Sequence, residues 1–297
     1  MNEPAASFVI LNGEIVPGAE ASVSVDDRGF LYGESVFTTI RCYGGVPFRL
    51  GRHCARLNAS LCSPVVGIEC QVEPGVLGAG IRRLIELNGC PDAVARFAVT
   101  RGCAAGPLPP SGLSPTTILT VRPYVPNASL RARGVSLCVS SIRRDPAGEL
   151  GKHKLGSYFP SLLARREAFA KGCDEAVIRD TNGNFLECAS SNLFAVAGGT
   201  VVTAGVTENI LPGTAREAVL ECAARIGLEV SCEPLTPRIV ADAGEWFITN
   251  SLLEVMPVAR LEEKGYPVPG PVTGRLMRAY RRIVSSETRT PMVQPRG

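Results

Sequence analysis

Two residues in the middle of the chain, Lys154 and Glu187, are of types that could do covalent and acid–base chemistry together. A lysine amine adds to carbonyl carbon, and a carboxylate can keep a partner protonated. Both fall within residues 152–196, which read KHKLGSYFPSLLARREAFAKGCDEAVIRDTNGNFLECASSNLFAV. Taken singly, a lysine ahead of a helix is usually solvated and a glutamate on a strand usually faces water. The elements around them must therefore argue for more.

Over residues 157–170, Tyr158, Leu162, Leu163 and Phe169, with Ala164 and Ala168 between them, recur at roughly helical spacing, and Gly172 stops the pattern. This predicts a helix just after Lys154. Residues 175–179 form a β-type run, Asn182 and Gly183 supply turn chemistry, and residues 185–196 contain further strand. Alternation puts Phe185, Glu187 and Ala189 on one face. Glu187 then either faces water or is held inside beside a cation, and the pattern leaves both open.

A lysine, a helix, then a hairpin whose second strand carries Glu187, Ser191, Asn192, Leu193 and Phe194 resembles the fold-type IV pyridoxal-phosphate enzymes. That family contains branched-chain and D-amino-acid aminotransferases and aminodeoxychorismate lyase. The resemblance implies an α/β (α+β) two-domain architecture with pyridoxal 5'-phosphate between the domains. It makes Lys154 the amine that links to the cofactor, in preference to Lys152 because of the spacing to Tyr158. It makes Glu187 the partner of the pyridine nitrogen, with Ser191 and Asn192 beside the cofactor.

Other segments extend the likeness. Residues 27–37, DRGFLYGESVF, are similar to the family's amino-terminal signature, after which branched-chain types usually carry glutamate where this chain has Thr38. Thr38 is found at this place in some aminodeoxychorismate lyases and would assist proton delivery, although threonine on a strand also has an ordinary β-propensity reading. Arg49, Arg52 and Arg56 fall on one side of a helix expected over residues 48–61, ordinarily a solvated face. His53, Arg56 and Leu57 resemble the phosphate-binding segment, which assigns Arg56 to the cofactor phosphate. At residues 211–216, LPGTAR opens a helix whose apolar positions run through Ala215, Val219 and Ala223. Any helix start is a weak anion site. The likeness to the family's phosphate cup assigns Gly213, Thr214 and Ala215 to the phosphate, with Ser251 as a further contact.

Composition narrows the classes. The chain has 297 residues, 45% hydrophobic and 20% charged, with a net charge of +3. That fits a globular protein with a sizeable core and gives no polyelectrolyte case for nucleic acid or a membrane surface. With no basic n-region and no long apolar stretch, a cytoplasmic protein is expected. Eleven cysteines without CxxC spacing and only two histidines argue for buried free thiols and against a metal site.

Residues 8–15 read as a hairpin turning at Asn12-Gly13, and residues 26–29 as a polar loop. A Gly- and Pro-rich loop follows at residues 102–115. The expected division is an N-terminal domain over residues 1–122, a linker over 123–134, and a cofactor-lysine domain over 135–297 beginning with a strand to Ile142. Residues 285–297 are expected to be disordered.

The motifs put aminodeoxychorismate lyase first, releasing pyruvate and 4-aminobenzoate. An amino-acid or amine transaminase of branched-chain or D-amino-acid type, using 2-oxoglutarate or pyruvate, is the alternative. Against the lyase, Thr117 stands where some lyases carry arginine, and residues 101–110 read RGCAAGPLPP. The family resemblance also implies a homodimer.

Overall fold

The computed structural model describes residues 7–289. The described chain divides into two compact units. One takes the residues up to Val125 and those from Arg282 onward, and the other is Pro126–Arg281.

The first unit opens with strands β1 (Phe8–Leu11) and β2 (Glu14–Pro17) and the short helix α1 (Arg28–Tyr32). Then come β3 (Ser35–Tyr43), β4 (Val46–Pro47), helices α2 (Leu50–Leu61) and α3 (Pro74–Asn88), and strands β5 (Ala93–Thr100) and β6 (Thr117–Pro123). Asn12 and Gly13 both take positive φ, 51° and 87°, as the β1–β2 turn requires. The strands form one six-stranded sheet in the order β2-β1-β6-β5-β3-β4. Val36 and Ile40 of β3, Leu57 and Leu61 of α2, and Ile81 and Leu84 of α3 are buried in its core. Of residues 26–29, expected to be a polar loop, Asp26 lies in a turn, Asp27 is the N-cap, and Arg28 and Gly29 start α1. Asp27 caps the helix by accepting from Gly29 N–H, and its other oxygen accepts from the Thr100 and Thr116 hydroxyls. Both Asp27 and Arg28 are buried, so this is an internal polar node.

The second unit begins with helix α4 (Ala128–Arg133), capped by Asn127, inside the stretch expected to be a linker. There follow β7 (Val135–Arg144), α5 (Phe159–Ala170), β8 (Glu175–Asp180), β9 (Phe185–Cys188), β10 (Asn192–Ala197), β11 (Thr200–Thr203) and α6 (Thr214–Arg225). The remaining elements are β12 (Val230–Cys232), α7 (Pro237–Asp242), β13 (Ala243–Asn250), β14 (Glu254–Leu261), β15 (Lys264–Gly265) and α8 (Pro271–Glu287). The sheet has nine strands in the order β12-β11-β10-β13-β14-β7-β8-β9, with β15 on β14 and an extra pairing of β9 with β10. That extra pairing closes β10-β13-β14-β7-β8-β9 into a ring of strands. Its register is the single pair Asn192↔Glu187. β7 and β8 are parallel neighbours, so the chain must cross over between them, and Lys154 and α5 lie on that crossover.

Several expectations change. The strand expected to end at Ile142 runs on to Arg144 through a register shift after Val139. α8 continues to Glu287, so residues 285–287 are helical where disorder was expected, and residues 290–297 lie outside the described residues. In α5 only Ala164 and Ala168 are buried. Phe159, Leu162, Leu163 and Phe169 are exposed on the other side, Phe169 at 84%. Cys62, Cys103 and Cys232 are exposed rather than buried. No described helix is long and apolar enough to cross a membrane.

Candidate functional site

Glu187 is buried at the ring-closing pair, with donors on every side the structure records. Arg144, the last residue of β7, donates to Oε1 at 2.6 Å. Asn192 Nδ2 donates to Oε2 at 3.0 Å and also to the Leu211 carbonyl at 2.9 Å. The Leu211 N–H points at both carboxylate oxygens, 3.3 and 3.2 Å away. Burial pushes the Glu187 carboxyl above its ordinary range, while the Arg144 guanidinium, the Leu211 N–H and the Lys154 charge pull it back. A site made only of donors suits the ionised, acceptor-only carboxylate.

Of the two alternatives that alternation left open for Glu187, the structure takes the second, a carboxylate held inside beside a cation, and both faces of β9 are buried. Sequence reasoning allowed for a cationic partner without finding it. Arg144 sits 43 residues away, at the end of a strand expected to stop short of it. The doublet Arg143-Arg144 directly after an apolar strand was the available signal.

Lys154 follows a 3₁₀ turn at Leu150–Lys152 and is half-buried. Its charge favours the ionised form of Glu187. Lys152, the rival amine, instead pairs with Glu149 at 2.7 Å. On the far side of Lys154, the Tyr158 hydroxyl donates to the Ala189 carbonyl at 3.1 Å, two residues beyond Glu187.

Gly213 is the N-cap of α6, and no side chain caps the helix. Thr214 and Ala215 are buried at its first positions. A Cβ on Gly213 would stand 2.1 Å from Asn192 Oδ1, so the glycine admits the side chain that orients Glu187. Ser191 is buried and its hydroxyl accepts from Asn250 Nδ2 at 2.9 Å. Asn250 also accepts from the Leu252 and Leu253 N–H groups, which makes it a turn former. Ser251 is half-buried on that turn. Thr249, opposite Asn192 on β13, has a buried hydroxyl with no partner among the described residues, a group the sequence did not mark.

In the first unit, Thr38 is fully buried. Its hydroxyl accepts from Arg56 at 3.2 Å and lies 2.7 Å from Nδ1 of the buried His53. According to the imidazole tautomer the hydroxyl donates to Nδ1 or accepts from it; either way Thr38 braces Arg56. Burial lowers the Arg56 pKa to about 10, so an anion beside the guanidinium would be favourable.

The second unit thus offers an amine, a buried carboxylate ringed by donors, an unpartnered hydroxyl and a helix start free of a capping side chain. These fit pyridoxal phosphate: Lys154 for the aldehyde, Glu187 for the ring nitrogen, and the Gly213–Ala215 backbone for the phosphate.

Residues 35–261 match the family model described as Amino-transferase class IV. A putative branched-chain-amino-acid aminotransferase of Methanocaldococcus jannaschii is 34% identical over 93% of this chain and 96% of its own length. An aminodeoxychorismate lyase of Bacillus subtilis is 29% identical, over 94% of this chain and 95% of its own. The Escherichia coli branched-chain amino acid aminotransferase structure superposes with TM-score 0.88 at 30% identity, covering 97% of this chain and 98% of that one. A second branched-chain amino acid aminotransferase, from T.th. and solved with N-(5'-phosphopyridoxyl)-L-glutamate, gives TM-score 0.84 at 31% identity, covering 95% and 94%.

Proposed function

This chain belongs to the class IV aminotransferase family of pyridoxal-phosphate-dependent enzymes, and we propose that within it the protein is an amino-acid transaminase acting on branched-chain substrates. The observation that carries the cofactor assignment is the buried Glu187, held by Arg144, Asn192 and Leu211 in the same unit as Lys154. The preference for transamination over the lyase that the motifs put first is supported by relatives that carry the branched-chain aminotransferase name. A second support is Thr38. Its main claim as a lyase residue was proton delivery, and its hydroxyl is instead engaged with Arg56 and His53.

When bound, pyridoxal phosphate supplies an aldehyde that condenses with amines and a ring that takes up developing negative charge. Lys154 would hold the aldehyde, and its amine, when free, would move a proton to and from the substrate α-carbon. Glu187 would keep a proton on the ring nitrogen. Arg144 and Leu211 favour the ionised form of that carboxylate and aim it. Arg56, the start of α6 and Ser251 are assigned to the phosphate, with Ser191 holding the Asn250 turn on which Ser251 sits.

Pairing with a second copy of the chain belongs to the same proposal. It is supported by Phe159, Leu162, Leu163 and Phe169, spaced along one side of α5 and exposed. Sedimentation at micromolar concentration checks this, and a fully active monomer would remove it.

The function is tested by incubating the holoenzyme with 2-oxoglutarate or pyruvate and a panel of L- and D-amino acids. A parallel sample receives aminodeoxychorismate. Amino transfer from leucine, isoleucine or valine with no 4-aminobenzoate formed is expected. Rapid release of 4-aminobenzoate without amino transfer would restore the lyase.

A further inference from the structure

Lysine carries its amine on four methylenes, so the place of the nitrogen depends on how firmly the backbone beneath it is fixed. Lys154 lies between two anchors. One is Tyr158 on Ala189. The other is Asn209, a buried residue that no sequence motif marked.

Asn209 takes a left-handed conformation, φ 57° and ψ 45°, which asparagine tolerates better than most side chains. Its Oδ1 accepts from the Gly151 N–H at 2.7 Å, and its Nδ2 donates to the Asp145 carbonyl at 2.7 Å. One amide thus spans the loop that leads to Lys154. Its own carbonyl accepts from Arg144 at 2.9 Å through the same nitrogen that holds Glu187. Two residues on, Leu211 donates its N–H to Glu187 and accepts from Asn192 with its carbonyl. Residues 209–211 therefore grip the lysine loop at one end and the carboxylate at the other.

The loop is fitted to this bracket. A Cβ on Gly151 would lie 2.1 Å from the Asn209 carbonyl oxygen, and one on Gly148 would lie 2.7 Å from Nδ2. Only a side chain with both a donor and an acceptor serves the Asp145 carbonyl and the Gly151 N–H together. Aspartate and glycine tolerate the backbone and lack one or both groups.

We propose that Asn209 is a positioning residue that sets where the Lys154 amine stands relative to the Glu187 carboxylate, an inference that rests on Lys154 linking to the cofactor aldehyde. It acts through the loop, by its hydrogen bonds to Gly151 and Asp145. Its loss should weaken the lysine link and leave the noncovalent contacts intact.

The test compares two ligands on the apo full-length protein: pyridoxal phosphate, which can link to lysine, and pyridoxamine phosphate, which cannot. Asn209→Gly removes two hydrogen bonds, each with a modest net worth. Pyridoxal phosphate is expected to bind on the order of tenfold more weakly, with pyridoxamine phosphate bound as by the parent. Asn209→Asp keeps the acceptor for Gly151 and should fall between. It carries the comparison if Asn209→Gly does not fold, and thermal melting reports that separately. Equal weakening of both ligands, or no change in either, overturns the positioning role. A parent protein that binds neither ligand overturns the cofactor reading itself and the positioning role with it.

Discussion

Asn192 and Glu187 face each other as the single residue pair that joins β9 to β10, and the Asn192 amide donates to the Glu187 carboxylate at 3.0 Å across it. The strand ring is therefore closed at the residue assigned to the cofactor ring, so the stability of the fold and the orientation of the carboxylate are coupled. Gly213 belongs to the same contact, because a Cβ there would sit 2.1 Å from Asn192 Oδ1. Gly213→Ala should displace Asn192 and destabilise the protein by roughly 1–3 kcal/mol, the usual cost of overpacking, with weaker pyridoxal phosphate binding. Denaturant unfolding and cofactor titration check this. An alanine variant indistinguishable from the parent in both would remove the coupling.

Arg144 is the cation of the buried carboxylate, and removing it leaves Glu187 without its strongest donor. Arg144→Met should lower unfolding stability by roughly 1–3 kcal/mol, the cost of an unsatisfied buried polar group. A loss below about 0.5 kcal/mol, within the range of ordinary surface substitutions, would count against the pair.

Thr38 separates two accounts of the same residue. As a brace for Arg56, Thr38→Val should weaken cofactor binding by several-fold, about the worth of one hydrogen bond, and Thr38→Ser should restore it. Direct proton delivery would instead appear as a loss of about 10²–10⁴-fold in turnover with cofactor affinity unchanged. Measuring kcat and cofactor Kd on both variants decides between them.

Much of this was legible in the sequence. Lys154 with a helix after it, Glu187 on a hairpin, and the Gly213 helix start each left a local pattern of spacing or turn chemistry. What was not legible is held by contacts between distant segments. Arg144 reaches Glu187 only because β7 extends past a register shift, which strand periodicity does not report. Asn209 gave no sign because its value is a left-handed turn plus two backbone partners more than fifty residues away. Asp27 and Arg28 looked like loop residues because a polar run gives no hint of burial when partners such as Thr100, Thr116 and the Gly106 and Pro107 carbonyls lie elsewhere in the chain.

Glu34 gives the pH behaviour a sign. The hydrogen bond from Arg28, with Arg101 adding its charge, holds this carboxyl below the ordinary glutamate value of 4.5. A depressed folded pKa contributes stability that is present above the unfolded value and lost as pH falls through the folded one. The parent should therefore lose stability below about pH 4.5, and Glu34→Gln should lose less over the same interval while starting lower at neutral pH. Parallel acid-unfolding curves for the two proteins would contradict this.

Lys154 is proposed as the amine that links to the cofactor. That assignment is tested most directly by reducing the pyridoxal-phosphate-loaded protein with borohydride and mapping the labelled peptide. The label is expected on Lys154, lost together with the visible absorbance in Lys154→Ala and retained in Lys152→Ala, since Lys152 is paired with Glu149. A label on Lys152, or a Lys154→Ala protein that still carries one, would contradict it.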